Sequence, residues 1–545
     1  MDVKLFFDGR EEILSAQSGK INKFEITIPA GTARAEFRMQ IPLIDIHTLW
    51  YNQLQPGPCG RLMWNTFFDC GIHLNFPYIA FFNRSGVLRA GIGLSDLIDD
   101  CRFHAQVNQE KCTYDLTITL AVSPETEPFV LFADLRRDVD WQDSLASWRT
   151  TFPMPDPDKY PAAVWDPVYC TWYAVHGAVT QQWLEKAVPP MAELGFKTLI
   201  VDDGWCYDDF KRVSPETIST WYEMIGDWKI SEKKFPSFKE HVKKIQSLGV
   251  KYMLWTAPHL WGNKSELYKK HPDCVHEHFV EGYRQMDVAH TEVVDELADD
   301  LRRLASENGL DGLKIDFLDI VPPDVDAPNA RNTLRLIKKL TDGLKEDNPE
   351  ALIEFRQRYA SPQMLEYGTQ FRAGDAPFDW QLNFGRTVEI RLGIGDGYPV
   401  HADPAYWAPD EEAENVSRHM IAMLAGVPML SMDPETLSER DRNIIRFWID
   451  FYNRNRKLLN HGKWHFHFGI SDVDAAVVDN DEERLVILAA GARVNEMLPD
   501  DGRKVTLLNL SNYTLKIDGA ETFGPDGKAA VPGEIIPGGG GVIAG

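Results

Sequence analysis

Carboxylates and aromatic side chains stand at the ends of several short apolar runs in this sequence, where plain turn residues are the usual finding. The acidic and aromatic residues are Asp202, Asp203, Trp205, Trp255, Asp316 and Asp375. Two basic residues, Lys314 and Arg372, stand beside them. Carboxylates accept hydrogen bonds from hydroxyl groups, and indole faces cover the apolar side of a pyranose ring. These residue types together predict a carbohydrate site with chemistry on a glycosidic bond.

Two of these carboxylates are predicted to carry the chemistry. Glycoside hydrolysis typically needs one protonated carboxyl group to assist the leaving oxygen and one ionised carboxylate as nucleophile or base. We predict Asp316 and Asp375 as this pair. Lys314 stands two residues before Asp316, on the same side of a strand, so its charge favours the ionised form that a nucleophile needs. A structural ion pair between Lys314 and Asp316 is the alternative interpretation.

The pattern of apolar residues predicts three parts of the chain that would position these side chains. Period-two alternation over residues 1–155 is typical of an antiparallel, sandwich-like β domain, and four prolines at 151–161 mark its end. Residues 160–458 alternate short apolar runs with amphipathic helices. This favours an α/β fold of the (β/α)8 TIM-barrel type, with a doubly wound sheet as the alternative. Alternation returns at 460–545 and predicts a small C-terminal β domain.

Individual elements follow from the same patterns. We predict strands at 24–30, 35–44, 114–122, 196–203, 250–258, 313–319 and 427–433. The clearest helices are predicted at 291–309, capped by Thr291 and closed by Asn308-Gly309, and at 332–347. In a barrel the active site lies at the carboxyl ends of the strands, which would bring the acidic residues together.

Charge and cysteine usage limit the partners, the cofactors and the location. The 82 acidic residues exceed the 57 basic ones and give a net charge of −25, which disfavours nucleic acid and anionic membranes as partners. The seven cysteines are scattered without a CxxC pair, so we predict reduced thiols, no metal site and no cofactor. No apolar run reaches the ~18 residues of a membrane span, and the N-terminus is too charged for a secretion signal. A cytoplasmic protein is expected.

Five motifs follow one another between residues 165 and 455. They are CTWY (170–173), LGFKTLIVDDGW (194–205), GDWKISEKKFPSF (226–238), LWTAP (254–258) followed by HPD (271–273), and KIDF (314–317). In this order they resemble the motifs of the α-galactosidases of glycoside hydrolase family 36, members of clan D. The resemblance implies hydrolysis with retention of configuration, through a covalent glycosyl-aspartate and without metal or cofactor.

The resemblance also implies roles for single residues. Asp316 would be the nucleophile and Asp375, in FRAGDAPFD, the acid/base, with Asp379 as a competitor for the second role. The substrate-binding residues would include Asp202 and Asp203 on the sugar hydroxyls, Lys314 and Arg372 beside them, and Trp172, Trp205 and Trp255 lining the pocket.

One segment departs from the family pattern. Family members often carry a cysteine-and-glycine segment between nucleophile and acid/base, whereas this chain has IEFRQRYASP at 353–362. Its Arg356 and Arg358 would suit a carboxylate or sulfate on the sugar, because a guanidinium pairs with such groups through two hydrogen bonds. Alternatively, the two arginines pair with Glu354, Glu366 or another surface acid.

The sequence therefore favours a retaining, exo-acting α-galactosidase-like hydrolase of short oligosaccharides or glycosides. Three alternatives stay open: the same mechanism on an α-N-acetylgalactosaminide or an acidic sugar, transglycosylation of the raffinose-synthase type, and a non-catalytic sugar-binding barrel. The expected partner is a small sugar. Assembly into a homo-oligomer stays open.

Overall fold

The N-terminal part of the protein consists of antiparallel β-strands. The computed structural model describes residues 1–52, 64–210, 222–276, 282–469, 472–490, 497–498 and 502–543. The first strands are β1 (Asp2–Phe7), β2 (Arg10–Ser15), β3 (Ile21–Ile26), β4 (Arg34–Pro42), β5 (Thr48–Trp50), β6 (Asn65–Cys70), β7 (Tyr78–Phe82), β8 (Leu88–Leu94), β9 (Cys101–Asn108), β10 (Thr113–Ala121) and β11 (Phe129–Asp134). They form two sheets, of order β2-β1-β4-β10-β9-β6 and β3-β11-β8-β7-β5.

Alternating burial holds these two sheets together. In β4, Phe37, Met39 and Ile41 are buried and point into an apolar core, while the residues between them face outward. The predicted strands at 35–44 and 114–122 are present as β4 and β10. The prediction at 24–30 was wrong at its end, because β3 stops at Ile26 before Pro29, which has no N–H for a sheet.

The central part is a barrel of parallel strands. The strands are β12 (Val168–Cys170), β13 (Thr198–Val201), β14 (Lys251–Thr256), a small hairpin of β15 (Leu260–Gly262) and β16 (Tyr283–Gln285), then β17 (Gly312–Ile315), β18 (Leu352–Arg356), β19 (Gln370–Arg372), β20 (Val400–His401) and β21 (Met429–Leu430). The barrel sheet has the order β20-β19-β18-β17-β14-β13-β12-β21. A parallel bridge from His401 to Val427 brings the two ends together. The prediction of a (β/α)8 TIM-type barrel is confirmed, and the doubly wound alternative is wrong.

Helices surround the barrel and precede it. They are α1 (Trp141–Arg149), α2 (Trp172–Val175), α3 (Gln181–Glu193), α4 (Phe238–Gln246), α5 (Glu266–Lys270), α6 (Thr291–Asn308), α7 (Ala330–Asp347), α8 (Trp380–Ile394), α9 (Ala413–Ala422) and α10 (Glu439–His461). Both predicted helices are present as α6 and α7. Thr291 was predicted to cap α6, but it is the first helical residue and His290 takes the cap position. Gly309 ends the helix in a left-handed conformation, as its backbone freedom allows. Over the described ranges, no helix has the length and apolarity to cross a bilayer.

The C-terminal part returns to β structure. Its strands are β22 (Lys463–Phe468), β23 (Val473–Asp479), β24 (Glu483–Leu488), β25 (Lys504–Asn509), β26 (Leu515–Lys516), β27 (Glu521–Phe523), β28 (Glu534–Ile535) and β29 (Gly540–Ile543). The main sheet has the order β22-β23-β24-β25-β29-β27, and β26 pairs with β28. The predicted boundaries at 1–155, 160–458 and 460–545 stay predictions.

Hydrogen bonds connect the N-terminal sheets to the loop after β18. The backbone N–H of Asn75 donates to the carbonyl of Arg358 at 3.0 Å. The Gln363 amide donates to the carbonyls of Gly71 and Asn75, at 3.1 and 2.6 Å. Asn75, Gln363 and Gly71 are buried, so the sheets hold this loop of the barrel in place.

An ion pair at the seam between the N-terminal sheets and the barrel predicts a change in stability. Arg331 on α7 binds Asp99 of the N-terminal part through two hydrogen bonds of 2.7 and 2.8 Å, and the Asp99 side chain is 4% exposed. Replacing Arg331 by Met should lower the free energy of unfolding by about 2 kcal/mol, because a buried carboxylate loses its charged partner. Thermal unfolding of the purified variant, followed by calorimetry, measures this change.

The matched control lies one turn further along α7. Arg335 binds Asp295 with the same two-bond geometry, at 2.9 and 2.5 Å, but the Arg335 side chain is 51% exposed. Arg335→Met should cost less than about 1 kcal/mol, because water screens an exposed pair. Equal losses in the two variants would contradict a structural role for the buried pair.

Candidate active site

The predicted site residues lie at or just after the carboxyl ends of neighbouring barrel strands. Trp172 follows β12, Asp202 and Asp203 follow β13, Trp255 lies in β14, Lys314 and Asp316 lie at the end of β17, Arg356 ends β18 and Arg372 ends β19. Parallel strands in a barrel end on one face, so these side chains share one end of it. Direct contacts join most of them into a single charged cluster.

Asp316 is buried and is held on both of its oxygens. Its Oδ2 accepts a hydrogen bond from the indole N–H of Trp255 at 2.9 Å, and its Oδ1 accepts one from the backbone N–H of Phe317 at 2.8 Å. Arg356 Nε lies 2.8 Å from Oδ1, as an ion pair whose angle falls outside that of a hydrogen bond. Burial alone would raise the pKa of Asp316, but the charges of Arg356 and Lys314 outweigh it and lower that pKa. Asp316 is therefore ionised.

Lys314 has a closer partner than Asp316. Its Nζ donates a hydrogen bond to Asp202 Oδ2 at 2.6 Å and lies 3.9 Å from Asp316 Oδ2. Burial would lower the pKa of Lys314, but the Asp202 charge outweighs it and raises that pKa above its ordinary value. The lysine is thus a cation between two carboxylates, and its predicted pairing with Asp316 is the weaker of the two contacts.

Asp203 stands beside Asp202 and is fully buried. The Tyr207 hydroxyl donates to its Oδ2 at 3.1 Å, while Oδ1 has no hydrogen-bond partner among the described residues. Burial and the neighbouring Asp202 charge raise the pKa of Asp203 to about 7. Its unpaired oxygen therefore has unused hydrogen-bonding capacity at the site.

Arg356 contacts both predicted catalytic carboxylates. In addition to its contact with Asp316, its Nη1 lies 3.7 Å from Asp375 Oδ2. Neither Glu354 nor Glu366, the partners considered from sequence, pairs with Arg356 in the part of the chain that the structure describes. The sequence could not reveal this contact, because β17 and β18 become neighbours only in the folded barrel.

Arg358 lies apart from this cluster. It is half-buried at the seam with the N-terminal sheets, and its Nε has no hydrogen-bond partner in the described ranges. Neither Asp316 nor Asp375 forms an ion pair with it among the described residues. Its predicted contact with substrate stays a prediction.

Arg372 is buried at the end of β19 among three acids. Its Nη1 contacts Asp403 and donates to Asp375 Oδ1 at 3.1 Å, while its Nε lies 3.6 Å from Glu354 Oε1. Burial would lower the pKa of Arg372, but these carboxylates raise it well above its ordinary value. Arg372 therefore fixes the acids around it.

Asp375 is the exposed member of the predicted pair. Its side chain is 51% exposed, against 5% for Asp316. The protein atoms around the carboxylate remove part of its hydration and would raise the pKa of Asp375, but Arg372 and Arg356 outweigh this effect and lower that pKa to about 2. Asp375 is thus ionised in the free protein and lies where water and a leaving group can reach it.

Asp379, the competing candidate, has a structural role. It precedes α8 as the N-cap residue, and its Oδ1 accepts a hydrogen bond from the backbone N–H of Leu382 at 2.9 Å. It makes no described ion pair with Arg356 or Arg372, which both contact Asp375. The geometry favours Asp375 over Asp379.

Asp403 was missed by the sequence analysis. It is fully buried after β20 and contacts Arg372, accepts from the Ala376 N–H at 2.7 Å and accepts from the Tyr173 hydroxyl at 2.9 Å. Burial raises the pKa of Asp403 to about 7 even though Arg372 opposes the shift. The strand before it has two residues, too short for the apolar run that marked the other strand ends.

The three predicted tryptophans differ in what they offer. Trp205 is fully buried and donates its indole N–H to the carbonyl of Trp255 at 2.9 Å, so it supports the site rather than presenting a face to it. Trp255 is also buried and contributes its N–H to Asp316. Trp172 is half-buried and retains an accessible surface for a sugar.

One cysteine contacts this cluster, because the buried Cys170 thiol donates a hydrogen bond to Asp202 Oδ2 at 3.3 Å. The described cysteines are free thiols, and Cys59 falls outside the described residues. In the described ranges, Cys274, His290 and Glu292 form a group close enough to hold a metal ion. That group contains none of the predicted catalytic or sugar-binding residues.

Part of the chain is similar in sequence to known proteins. Residues 162–335 match the Melibiase family model. The α-galactosidase AgaA of Geobacillus stearothermophilus is 24% identical over 386 residues, which cover 65% of this chain and 50% of that protein. The bifunctional α-galactosidase/sucrose kinase AgaSK of Mediterraneibacter gnavus is 25% identical, over 58% of this chain and 34% of its own length. The aligned part thus spans half or less of these curated relatives.

Solved structures share the fold. A substituted form of the family 36 α-galactosidase AgaA from G. stearothermophilus, in complex with raffinose, matches with a TM-score of 0.67 and 17% identity, over 100% of this chain and 81% of that one. TtGalA, an α-galactosidase from Thermus thermophilus in complex with p-nitrophenyl α-D-galactopyranoside, matches with a TM-score of 0.57 and 16% identity, over 88% and 98%. The chain therefore has the fold of these α-galactosidase structures, and part of its barrel, residues 162–335, is similar to the Melibiase family.

Proposed function

We propose that this protein is a retaining, exo-acting α-galactoside hydrolase. One observation carries the proposal: Arg356 contacts two carboxylates on different strand ends, of which Asp316 is buried and Asp375 exposed. A retaining glycosidase needs a fixed, ionised nucleophile and a second carboxyl group that exchanges protons with the leaving group and with water. The burial and contacts of Asp316 and Asp375 suit these two roles.

In the proposed reaction, an oxygen of Asp316 attacks the anomeric carbon while Asp375 gives its proton to the glycosidic oxygen. Water then attacks the glycosyl-aspartate, and Asp375 takes a proton from that water. The second step restores both carboxyl groups. Lys314 would help to keep Asp316 ionised, and Asp202 with Asp203 would accept hydrogen bonds from the sugar hydroxyls.

The first step requires a protonated Asp375, whereas Arg372 and Arg356 lower the pKa of the free group to about 2. Both arginines have closer partners, because Arg372 contacts Asp403 and Arg356 lies 2.8 Å from Asp316. A glycoside bound between Asp316 and Asp375 would exclude water and separate Asp375 from Arg356. Burial of the carboxyl group then raises its pKa toward the range of a general acid.

A neutral sugar suits this site better than an acidic one. Lys314, Arg356 and Arg372 each face at least one carboxylate within 4 Å. An anionic substituent near them would compete with Asp316 and Asp375 for the same cations. The relatives named above are α-galactosidases, which supports galactose as the sugar. We also propose a cytoplasmic location for the protein. Assembly into a homo-oligomer stays a prediction.

Hydrolysis of a nitrophenyl panel tests the proposal. The panel comprises the α-galactoside, α-N-acetylgalactosaminide, α-glucoside, α-xyloside, α-galacturonide and β-arabinopyranoside. We expect the α-galactoside to react fastest, with α-galactose as the first product in an NMR time course. A first product of β configuration would exclude retention. Transfer to a sugar acceptor in place of water would favour the transglycosylase alternative, and silence across the panel would favour a binding protein.

The contact between Arg356 and Asp316 predicts a change in the pH profile. Arg356 lowers the pKa of Asp316, so Arg356→Gln should raise it. The rate constant kcat/KM falls as pH drops through the pKa of the nucleophile. The acidic limb of the variant's profile should therefore lie at higher pH than that of the unchanged protein. An unshifted acidic limb would show that Arg356 does not set this ionisation.

A further inference from the structure

A row of three aromatic rings runs from the acid/base side of the site to the protein surface. Tyr173 begins the row, and its hydroxyl donates to Asp403 at 2.9 Å. The Tyr406 ring lies 6.3 Å from that of Tyr173, and the Phe378 ring lies 5.2 Å from that of Tyr406 in an edge-to-face arrangement. These contacts make the three rings one continuous surface.

The outer end of the row is exposed. Phe378 is 65% exposed, although a phenylalanine in water forfeits the free energy that burial of its ring would give. Tyr406 is half-buried, and its hydroxyl has no hydrogen bond to any described residue. Its backbone N–H donates to the carbonyl of Pro377 at 3.0 Å, which fixes the loop that carries Phe378. The row is therefore held in place while its outer rings remain open.

The position of the row relates it to one side of the reaction. Phe378 stands three residues after Asp375, the proposed acid/base, in the same loop. The rings around the nucleophile form a separate group, in which Trp255 and Phe317 pack beside Asp316. In a retaining mechanism the leaving group departs on the acid/base side, because that group protonates the leaving oxygen.

We propose that Tyr173, Tyr406 and Phe378 form the binding surface for the leaving-group portion of the substrate, a neutral sugar or another ring that stacks on aromatic faces. This inference rests on the proposed function. Tyr406 and Phe378 stack on the substrate ring beyond the cleaved bond. The Tyr406 hydroxyl forms a hydrogen bond with a hydroxyl group of that ring. The preferred substrates are thus α-galactosides with at least one further ring.

Three substrates with different leaving groups test this surface. Raffinose and p-nitrophenyl α-galactoside carry a ring beyond the cleaved bond, whereas α-galactosyl fluoride carries a single fluorine atom. Phe378→Ala and Tyr406→Ala should each lower kcat/KM about tenfold for the first two substrates, as expected for one lost ring contact. Their kcat/KM for the fluoride should change less than about twofold. Phe378→Trp should keep the rates on all three.

The matched control is Phe67→Ala on β6, because Phe67 is also 65% exposed but lies in the N-terminal sheets. It should leave all three rates unchanged. An equal effect of Phe378→Ala on the fluoride and on raffinose, or no effect on either, would overturn the leaving-group surface while the hydrolase assignment stands. Failure of the unchanged protein to hydrolyse any of the three substrates would overturn the proposed function and this surface with it.

Discussion

Asp316→Asn should lower kcat/KM on p-nitrophenyl α-galactoside by about four orders of magnitude or more, because the amide cannot form the glycosyl intermediate. The side chain keeps its size and can still accept the hydrogen bond from Trp255. Steady-state kinetics measure the loss. The covalent intermediate can be trapped on the unchanged protein with a galactosyl fluoride whose ring carries a further fluorine and which therefore reacts slowly. Mass spectrometry of the quenched and digested protein should find the fluorinated galactosyl group on the peptide that contains Asp316.

Asp319→Asn is the matched control for this prediction. Asp319 also lies near the guanidinium of Arg356, at 4.0 Å, and its side chain is 10% exposed. If Asp316 is the nucleophile, the Asp319 variant should keep activity within about tenfold of the unchanged protein, because it alters only the charge around Arg356. Comparable collapse in both variants would indicate damage to the charged cluster rather than loss of a nucleophile.

Asp375→Asn should produce a loss that depends on the leaving group. For raffinose, whose leaving oxygen needs a proton, kcat/KM should fall about 10²–10⁴-fold. This is the rate factor that general acid catalysis usually contributes. For α-galactosyl fluoride, kcat/KM should change much less, because fluoride departs without that proton. The turnover number kcat on the fluoride should still fall, because water needs the general base to attack the glycosyl intermediate. Added azide should restore kcat, since an anionic nucleophile needs no general base for this attack.

Asp379→Asn separates the two candidates for this role. Asparagine caps a helix about as well as aspartate, so α8 should keep its first turn and the variant its stability. Its activity on raffinose and on the fluoride should match that of the unchanged protein. A leaving-group-dependent loss in the Asp379 variant, with none in the Asp375 variant, would assign the acid/base to Asp379.

The sequence predicted the barrel because its strands are short apolar runs that end in functional residues. Asp202, Lys314 and Arg372 stand out for this reason, and the structure places all three at strand ends. The apolar pattern does not show which side chains on different strands form ion pairs. The nearest acid of Lys314 is Asp202 on β13 rather than Asp316 on its own strand, and only the folded sheet brings the two together.

The roles of two other site residues could not be predicted from the pattern of apolar residues. Asp403 follows a strand of two residues, and its importance comes from contacts with Arg372 and Tyr173, which lie far away in sequence. The family resemblance implied that Trp205 lines the sugar pocket. In the structure a buried hydrogen bond to the carbonyl of Trp255 accounts for it instead, and residue type alone does not distinguish these situations.

The seam between the N-terminal sheets and the loop after β18 bears on how such proteins can diversify. Across it the Gln363 amide donates to the carbonyl of Asn75, and the Asn75 N–H donates to the carbonyl of Arg358, two residues after Arg356. A gene fusion that exchanged the N-terminal part for an unrelated one would leave these polar groups without partners, at a cost of about 1–3 kcal/mol each. A replacement for the N-terminal part would therefore need polar groups at the same positions to hold the loop after β18.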